Sequence, residues 1–225
     1  MRVFFAFVIT LLSLTFAFGQ NEQFPIVEKE ITYNNWKLKN VKGDGETNLR
    51  DFAKGKKFVM VVYFAPWCPN WKHDAPILQQ FYDKYKTKGL YIIAVGEYDP
   101  VDSMKASFDT FKLTFPVVYE SESRAERQNT THYQIRTATG DTRKWGSPWY
   151  IFLEPATLEK KDDVLLRKAN VINGEIIEAE GEKFIRQKLG LPEEDTKTSA
   201  AKKSEIEVCD PDKTTTTLKK PEPKP

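Results

Sequence analysis

The sequence predicts an α/β protein, a layered sheet with helices on both faces, and three observations predict it. Phe58-Val59-Met60-Val61-Val62-Tyr63-Phe64 and Leu90-Tyr91-Ile92-Ile93-Ala94-Val95 are nearly unbroken apolar runs of strand length, the pattern of parallel strands covered on both sides. Between them Trp71, Ala75, Leu78, Tyr82 and Tyr85 recur at three- and four-residue steps. They mark one face of a helix over 68–86, long enough to cross over between the two strands. Hydrophobic residues make up 40% and aromatic residues 13% of 225 positions, enough for one domain to bury a core. Two cysteines are too few to staple a scaffold in place of that core.

The remaining elements follow in chain order. Met1-Arg2, the apolar residues 3–18 and the close on Ala17-Phe18-Gly19 read as a cleavable secretory signal over residues 1–19, its apolar core too short to span a bilayer comfortably. The mature chain is then expected to be exported, periplasmic or extracellular, without a stable membrane anchor, where disulfides persist. Residues 20–190 read as the folded domain. Its leading segment holds Trp36-Lys37-Leu38 as a strand and Gly43-Asp44-Gly45 as a turn. Met104, Phe108 and Phe111 suggest an amphipathic helix, residues 116–119, 149–153 and 164–167 further strands, and Phe184, Ile185 and Leu189 a closing helix. Residues 191–225 carry Pro192, Pro211, Pro221, Pro223 and Pro225, a Thr214 to Thr217 homopolymer and no aromatic residue. Such a segment cannot offset its ordering entropy and reads as a disordered tail, with Cys209 inside it.

Composition also excludes function classes. A net charge of +2 from 34 basic and 32 acidic residues argues against a nucleic-acid partner. No glycine-rich phosphate loop and no paired Cys/His zinc spacing occurs, and the histidines are His73 and His132 alone, so neither cofactor nor metal is expected.

Cys68 falls where the first apolar strand gives way to the helix. A thiol there meets unsatisfied N–H groups and the positive end of the helix dipole, both favouring thiolate, so the residues predict a partly exposed, acidified cysteine. The alternative is a buried cysteine acting as a small hydrophobe. Asp74, six positions on, is either a group beside the sulfur or a solvated acid on an exposed face. Lys72 and His73 are expected to be exposed. Trp71 lies on the apolar face with Ala75 and Leu78 and reads as a core or rim aromatic, with covering of the sulfur or stacking on a substrate as the other reading.

Trp67-Cys68-Pro69-Asn70-Trp71, with Pro76 eight residues after the cysteine, resembles the thioredoxin active site W-C-x-x-C. The surrounding residues resemble the TlpA-like redoxins of the bacterial envelope most: Asn48-Leu49-Arg50-Asp51-Phe52 with Gly55-Lys56, Lys88-Gly89-Leu90, Phe115-Pro116-Val117, and Ser147-Pro148 before Trp149. The resemblance covers residues 24–190. It implies a thioredoxin-like fold with a central mixed β-sheet, a cis Pro148 facing Cys68, and Trp67, Ser147 and Pro148 as substrate-contacting residues. It also implies a role for Asp74 in moving protons during exchange, and a protein or small molecule bearing a thiol or disulfide as partner. Two positions depart from the pattern. Trp71 stands where the second, resolving cysteine belongs, and Val62 stands where thioredoxin itself has an acid. Residues 136–145 look like an insertion that overhangs the site, with Arg143 and Lys144 as a basic lip or as inert surface charge.

The leading functional reading is an exported monothiol thiol-disulfide oxidoreductase or isomerase in which Cys68 forms mixed disulfides. Product release then needs a second thiol, from substrate, a small thiol or Cys209. Against Cys209 stands the reading of a chance cysteine in a tail. The rival class is a catalytically silent binding module that keeps the groove at Pro148. A thiol peroxidase is a third reading, weakened because Val61 and Ala65 stand where peroxiredoxins have proline and a hydroxyl residue.

Overall fold

The structure, a computed structural model, describes residues 22–192. The signal expected over 1–19 and the tail from 193 lie outside the described residues, as does Cys209. Among the described residues no helix is long and apolar enough to cross a membrane.

The chain runs β1 (Gln23–Phe24), β2 (Val27–Asn34), β3 (Lys37–Asn40), β4 (Glu46–Asn48), α1 (Leu49–Ala53), β5 (Phe58–Phe64), α2 (Pro69–Tyr85), β6 (Leu90–Gly96), α3 (Val101–Thr110), β7 (Val117–Tyr119), α4 (Thr131–Ala138), β8 (Trp149–Leu153), β9 (Val164–Ile172), β10 (Glu175–Ile176) and α5 (Glu178–Leu189). Eight strands form one mixed sheet in the order β2-β9-β8-β5-β6-β7-β3-β4, and β1 pairs with β10 separately. The two apolar runs lie at its centre. β5 and β6 are parallel, from Phe58 opposite Leu90 to Phe64 opposite Gly96, and β8 is antiparallel to β5, from Val59 opposite Leu153 to Tyr63 opposite Trp149.

Every residue of β5 is buried because both of its faces are covered. Phe58, Met60, Val62 and Phe64 join Trp71, Leu78 and Tyr85 of α2, Phe108 of α3 and Ile185 of α5. Val59, Val61 and Tyr63 join Tyr33 and Trp36, Leu49 of α1 and Ile135 of α4. Helices therefore cover both faces, as the sequence predicts.

The structure adds β1, β2, β4, α1, α4 and β10 to the elements expected from the sequence and lengthens β9. The leading segment holds an eight-residue strand, β2, of which only Ile31 and Tyr33 are buried. β9 continues to Ile172, beyond the expected 164–167. Part of the supposed insertion is helix α4, whose buried residues are His132, Ile135 and Arg136.

Candidate active site

The C-terminal end of β5 delivers the chain into a tight turn, with the Cys68 N–H on the Ala65 carbonyl at 3.0 Å, and α2 starts at once. Cys68 is the N-cap, with extended φ −70° and ψ 125°, and Pro69 occupies the first helical position, where its missing N–H costs nothing. The Cys68 carbonyl accepts the Lys72 N–H at 3.1 Å, so the helix is bonded from its first turn. The sulfur is thus at the positive end of a 17-residue helix.

Facing it is the loop before β8. The Ser147–Pro148 bond is cis. The Ser147 carbonyl oxygen stands 3.2 Å from Cys68 Sγ, and the Ser147 hydroxyl accepts the Ala65 N–H at 2.9 Å, tying the proline loop to the turn that carries the cysteine. One expectation needs correcting: Cys68 is fully buried, not partly exposed. The backbone at the proline is covered as well, with Ser147 at 1% exposure and Pro148 buried. Cys68 is also not a free thiol in this structure but is disulfide-bonded. Trp67 is half-buried and meets Trp145 edge to face at 5.3 Å.

The supposed basic lip is built into the site. Arg143 donates to the Pro148 carbonyl at 2.9 Å and the Ser147 carbonyl at 3.4 Å, forks onto Asp141 at 2.7 and 3.0 Å, and reaches Glu22 at 3.3 Å. Glu22 also accepts from the Asn70 amide, so the start of the fold is tied to the first turn of α2. Lys144 remains exposed. Arg136, fully buried, donates to the carbonyls of Arg143 at 2.8 Å and Lys144 at 3.2 Å. It holds the loop from inside.

His132 completes this support. Its ring stacks on Tyr63 at 5.0 Å, and burial, then the charges of Arg136 and Arg143, push its pKa well below the ordinary histidine range. The neutral ring has one N–H. Because the Gly146 carbonyl at 3.1 Å from Nε2 can only accept, Nε2 carries the proton and Nδ1 accepts from the Tyr98 hydroxyl at 2.9 Å.

Asp74 is fully buried, not solvated. It accepts from the Tyr150 hydroxyl, from the Ile176 N–H at 3.0 Å and from His73 Nδ1 at 3.1 Å. Burial nevertheless raises its pKa. Lys72 is exposed as expected, whereas His73 is only partly so. Trp71 is a core residue: its ring lies against Phe64 at 4.3 Å and its Nε1 donates to the Ser107 hydroxyl at 3.0 Å.

Sequence reasoning missed Glu22, Glu97, His132, Arg136 and Glu175. Glu97, just past β6, binds the Phe64 carbonyl through its N–H at 2.9 Å and accepts from the Ser121 hydroxyl at 2.8 Å, and burial holds its carboxyl well above the usual range. A charged residue inside an apolar strand end, as in Ala94-Val95-Gly96-Glu97, was the available signal. Glu22 and Glu175 had none, since only the pairing of β1 with β10 brings them to the site.

The geometry has counterparts among known proteins. Over 71 residues the chain is 35% identical to the thiol-disulfide oxidoreductase ResA of Oceanobacillus iheyensis, covering 31% of this chain and 36% of that protein. Over 87 residues it is 31% identical to ResA of Geobacillus kaustophilus, covering 39% and 48%. The chain thus spans about half the length or less of these curated relatives. A crystal structure of a thiol:disulfide interchange protein of the thioredoxin family from Chlorobium tepidum TLS superposes with a TM-score of 0.51 at 18% identity, covering 72% of this chain and 98% of that one. The fold is thioredoxin-like, as the sequence resemblance implied. Residues 31–146, just over half of the chain, match the model of the AhpC/TSA family, and the chain belongs to that family.

Proposed function

We propose that this protein is an exported thiol-disulfide oxidoreductase or isomerase that works with a single active-site thiol, Cys68, through mixed disulfides. The observation that carries the reading is the placement of the sulfur at the N-cap of α2, 3.2 Å from the carbonyl that precedes cis Pro148. The helix end lowers the cost of thiolate, and the proline loop faces the sulfur with backbone polar groups that an extended substrate can pair with once the cover of Glu22 and Arg143 moves aside. Trp67, Ser147 and Pro148 would contact that substrate, a protein or small molecule with a thiol or disulfide. Asp74 would handle protons.

Trp71 cannot resolve a mixed disulfide, so release falls to a thiol from outside the site. Cys209 is the candidate within the chain: if the residues after Leu191 act as a flexible tether, one of that length would span roughly 25 Å, comparable with a small domain, and would keep the effective concentration of the thiol useful. The second reading, a binding module without turnover, is favoured by the burial of Cys68 and by the tryptophan filling the core one turn away.

The deciding experiment is disulfide exchange in a peptide substrate by purified protein, beside Cys68→Ser and Cys209→Ser. Exchange lost with Cys68→Ser supports the enzyme, and no exchange by the unmodified protein supports the binding module. Non-reducing peptide mapping of the monomer after mild oxidation should yield a peptide linking Cys68 and Cys209; cross-linked dimers alone would remove Cys209 from the mechanism.

A further inference from the structure

Asp74 does not stand alone. Glu175, the first residue of β10, is 3% exposed, and its carboxylate lies 3.8 Å from His73 Nδ1, which is also 3.1 Å from Asp74. The three reactive atoms fall within 4.8 Å of one another. Two buried carboxyls this close cannot both ionise cheaply, and one imidazolium can compensate only one of them. The other charged groups do not change that count. Glu22 faces Glu175 from the start of the fold but is paired with Arg143, the cation that faces the cluster from the proline loop, and Glu178 faces His73 from α5. From β8, Tyr150 donates to Asp74 as a neutral phenol, its pKa raised well above the ordinary value by burial and by Asp74.

We propose that Glu175 and Asp74 share one proton, that His73, at 37% side-chain exposure, is its route to solvent, and that Glu175 thereby positions Asp74 as the acid that serves the sulfur of Cys68. This rests on the exchange reading above. During release a thiol R′–SH attacks the mixed disulfide Cys68–S–S–R. The new bond is R′–S–S–R, the bond to Cys68 breaks, and Cys68 leaves with the electron pair. The proton lost by R′–SH passes to the carboxyl pair, and the pair's proton passes to Cys68. No net oxidation occurs and the pair is restored.

Burial, then the charge of Asp74, lifts the Glu175 carboxyl from 4.5 to about 7, and the hydrogen bond to Asp74 raises His73. The folded chain therefore keeps a proton between pH 4.5 and about 7 that the unfolded chain has released, so the contribution of Glu175 to stability falls as pH rises through that window. Glu175→Gln keeps the shape and removes the acid.

Carboxyl carbon NMR titration of the unmodified chain should show a shared step near neutrality, absent in Glu175→Gln. The folding equilibrium of that variant, relative to unmodified protein, should improve by roughly two orders of magnitude from pH 4.5 to pH 8. The pH midpoint of mixed-disulfide release should fall by about one unit. Both carboxyls ionising below pH 5 in the unmodified chain overturns the shared proton. A shared step with an unmoved release profile overturns its place in the reaction. The titration does not require turnover, so failure of the exchange reading is seen separately, as absent exchange beside an intact carboxyl step.

Discussion

Removing the Arg143 side chain should be among the most costly single changes near Cys68. Its side chain is 15% exposed and holds the carbonyls of Ser147 and Pro148 together with Asp141, whose side chain is 1% exposed. Breaking one partner out of a buried ion pair costs about 3–5 kcal/mol. Arg136, 3.6 Å from Asp141, remains to offset part of the orphaned charge. Arg143→Ala should therefore destabilise by about 3 kcal/mol, and Arg143→Lys, with one point donor in place of a planar fork, by about 1–2 kcal/mol. In urea, where stability falls by about 1–3 kcal/mol per molar, the alanine midpoint should drop by roughly 1–3 M with an unchanged slope. The looser proline loop should also expose the sulfur, so alkylation of Cys68 in a Cys209→Ser background should accelerate several-fold. A loss below about 1 kcal/mol with unchanged alkylation would show that Arg143 is surface charge.

Two further changes test neighbouring parts. Gly146 has φ +60°, and a Cβ there would lie 2.3 Å from Arg136 Cδ, so Gly146→Ala should cost about 2–4 kcal/mol and lower the thermal midpoint by roughly 5–12 °C. A midpoint within 2 °C of the parent would refute that. Trp71→Cys should lose about 3–5 kcal/mol to the cavity yet gain net reduction of a protein disulfide, since the new thiol is one helical turn from Cys68. Trp71→Ser, equally small, is the control, and equal rates for the two variants would count against the proposed geometry.

What could be read from the chain and what could not divide along a physical line. β5, β6 and α2 were legible because their burial is apolar and periodic, and cis Pro148 because Ser147-Pro148 precedes an apolar strand in a recognisable setting. β2 was missed: Glu28, Lys29 and Glu30 dilute its alternation, since an edge strand buries little. α4 was missed for a related reason. Its inward face holds His132 and Arg136, which hydrophobic periodicity does not register, although Thr130, whose hydroxyl accepts the Tyr133 N–H at 3.1 Å, was a readable helix start. The state of Asp74 was out of reach, because its partners Tyr150 and Ile176 lie 76 and 102 positions away. Long-range topology alone creates that burial.

Arg136 gives the stretch after α4 an interior of its own. A surface loop ordinarily owes its shape to the residues along it, so that drift in those residues redraws it. Here one side chain from the preceding helix serves as a keel, with the carbonyls of Arg143 and Lys144 as ribs on it and Asp141 as a brace. Outward positions such as Thr142 and Lys144 can then be rewritten freely while the proline keeps its aim at the sulfur. A designer seeking new partners for this scaffold should vary those outward residues and leave the keel alone, and a transplant of the loop should carry Arg136 with it.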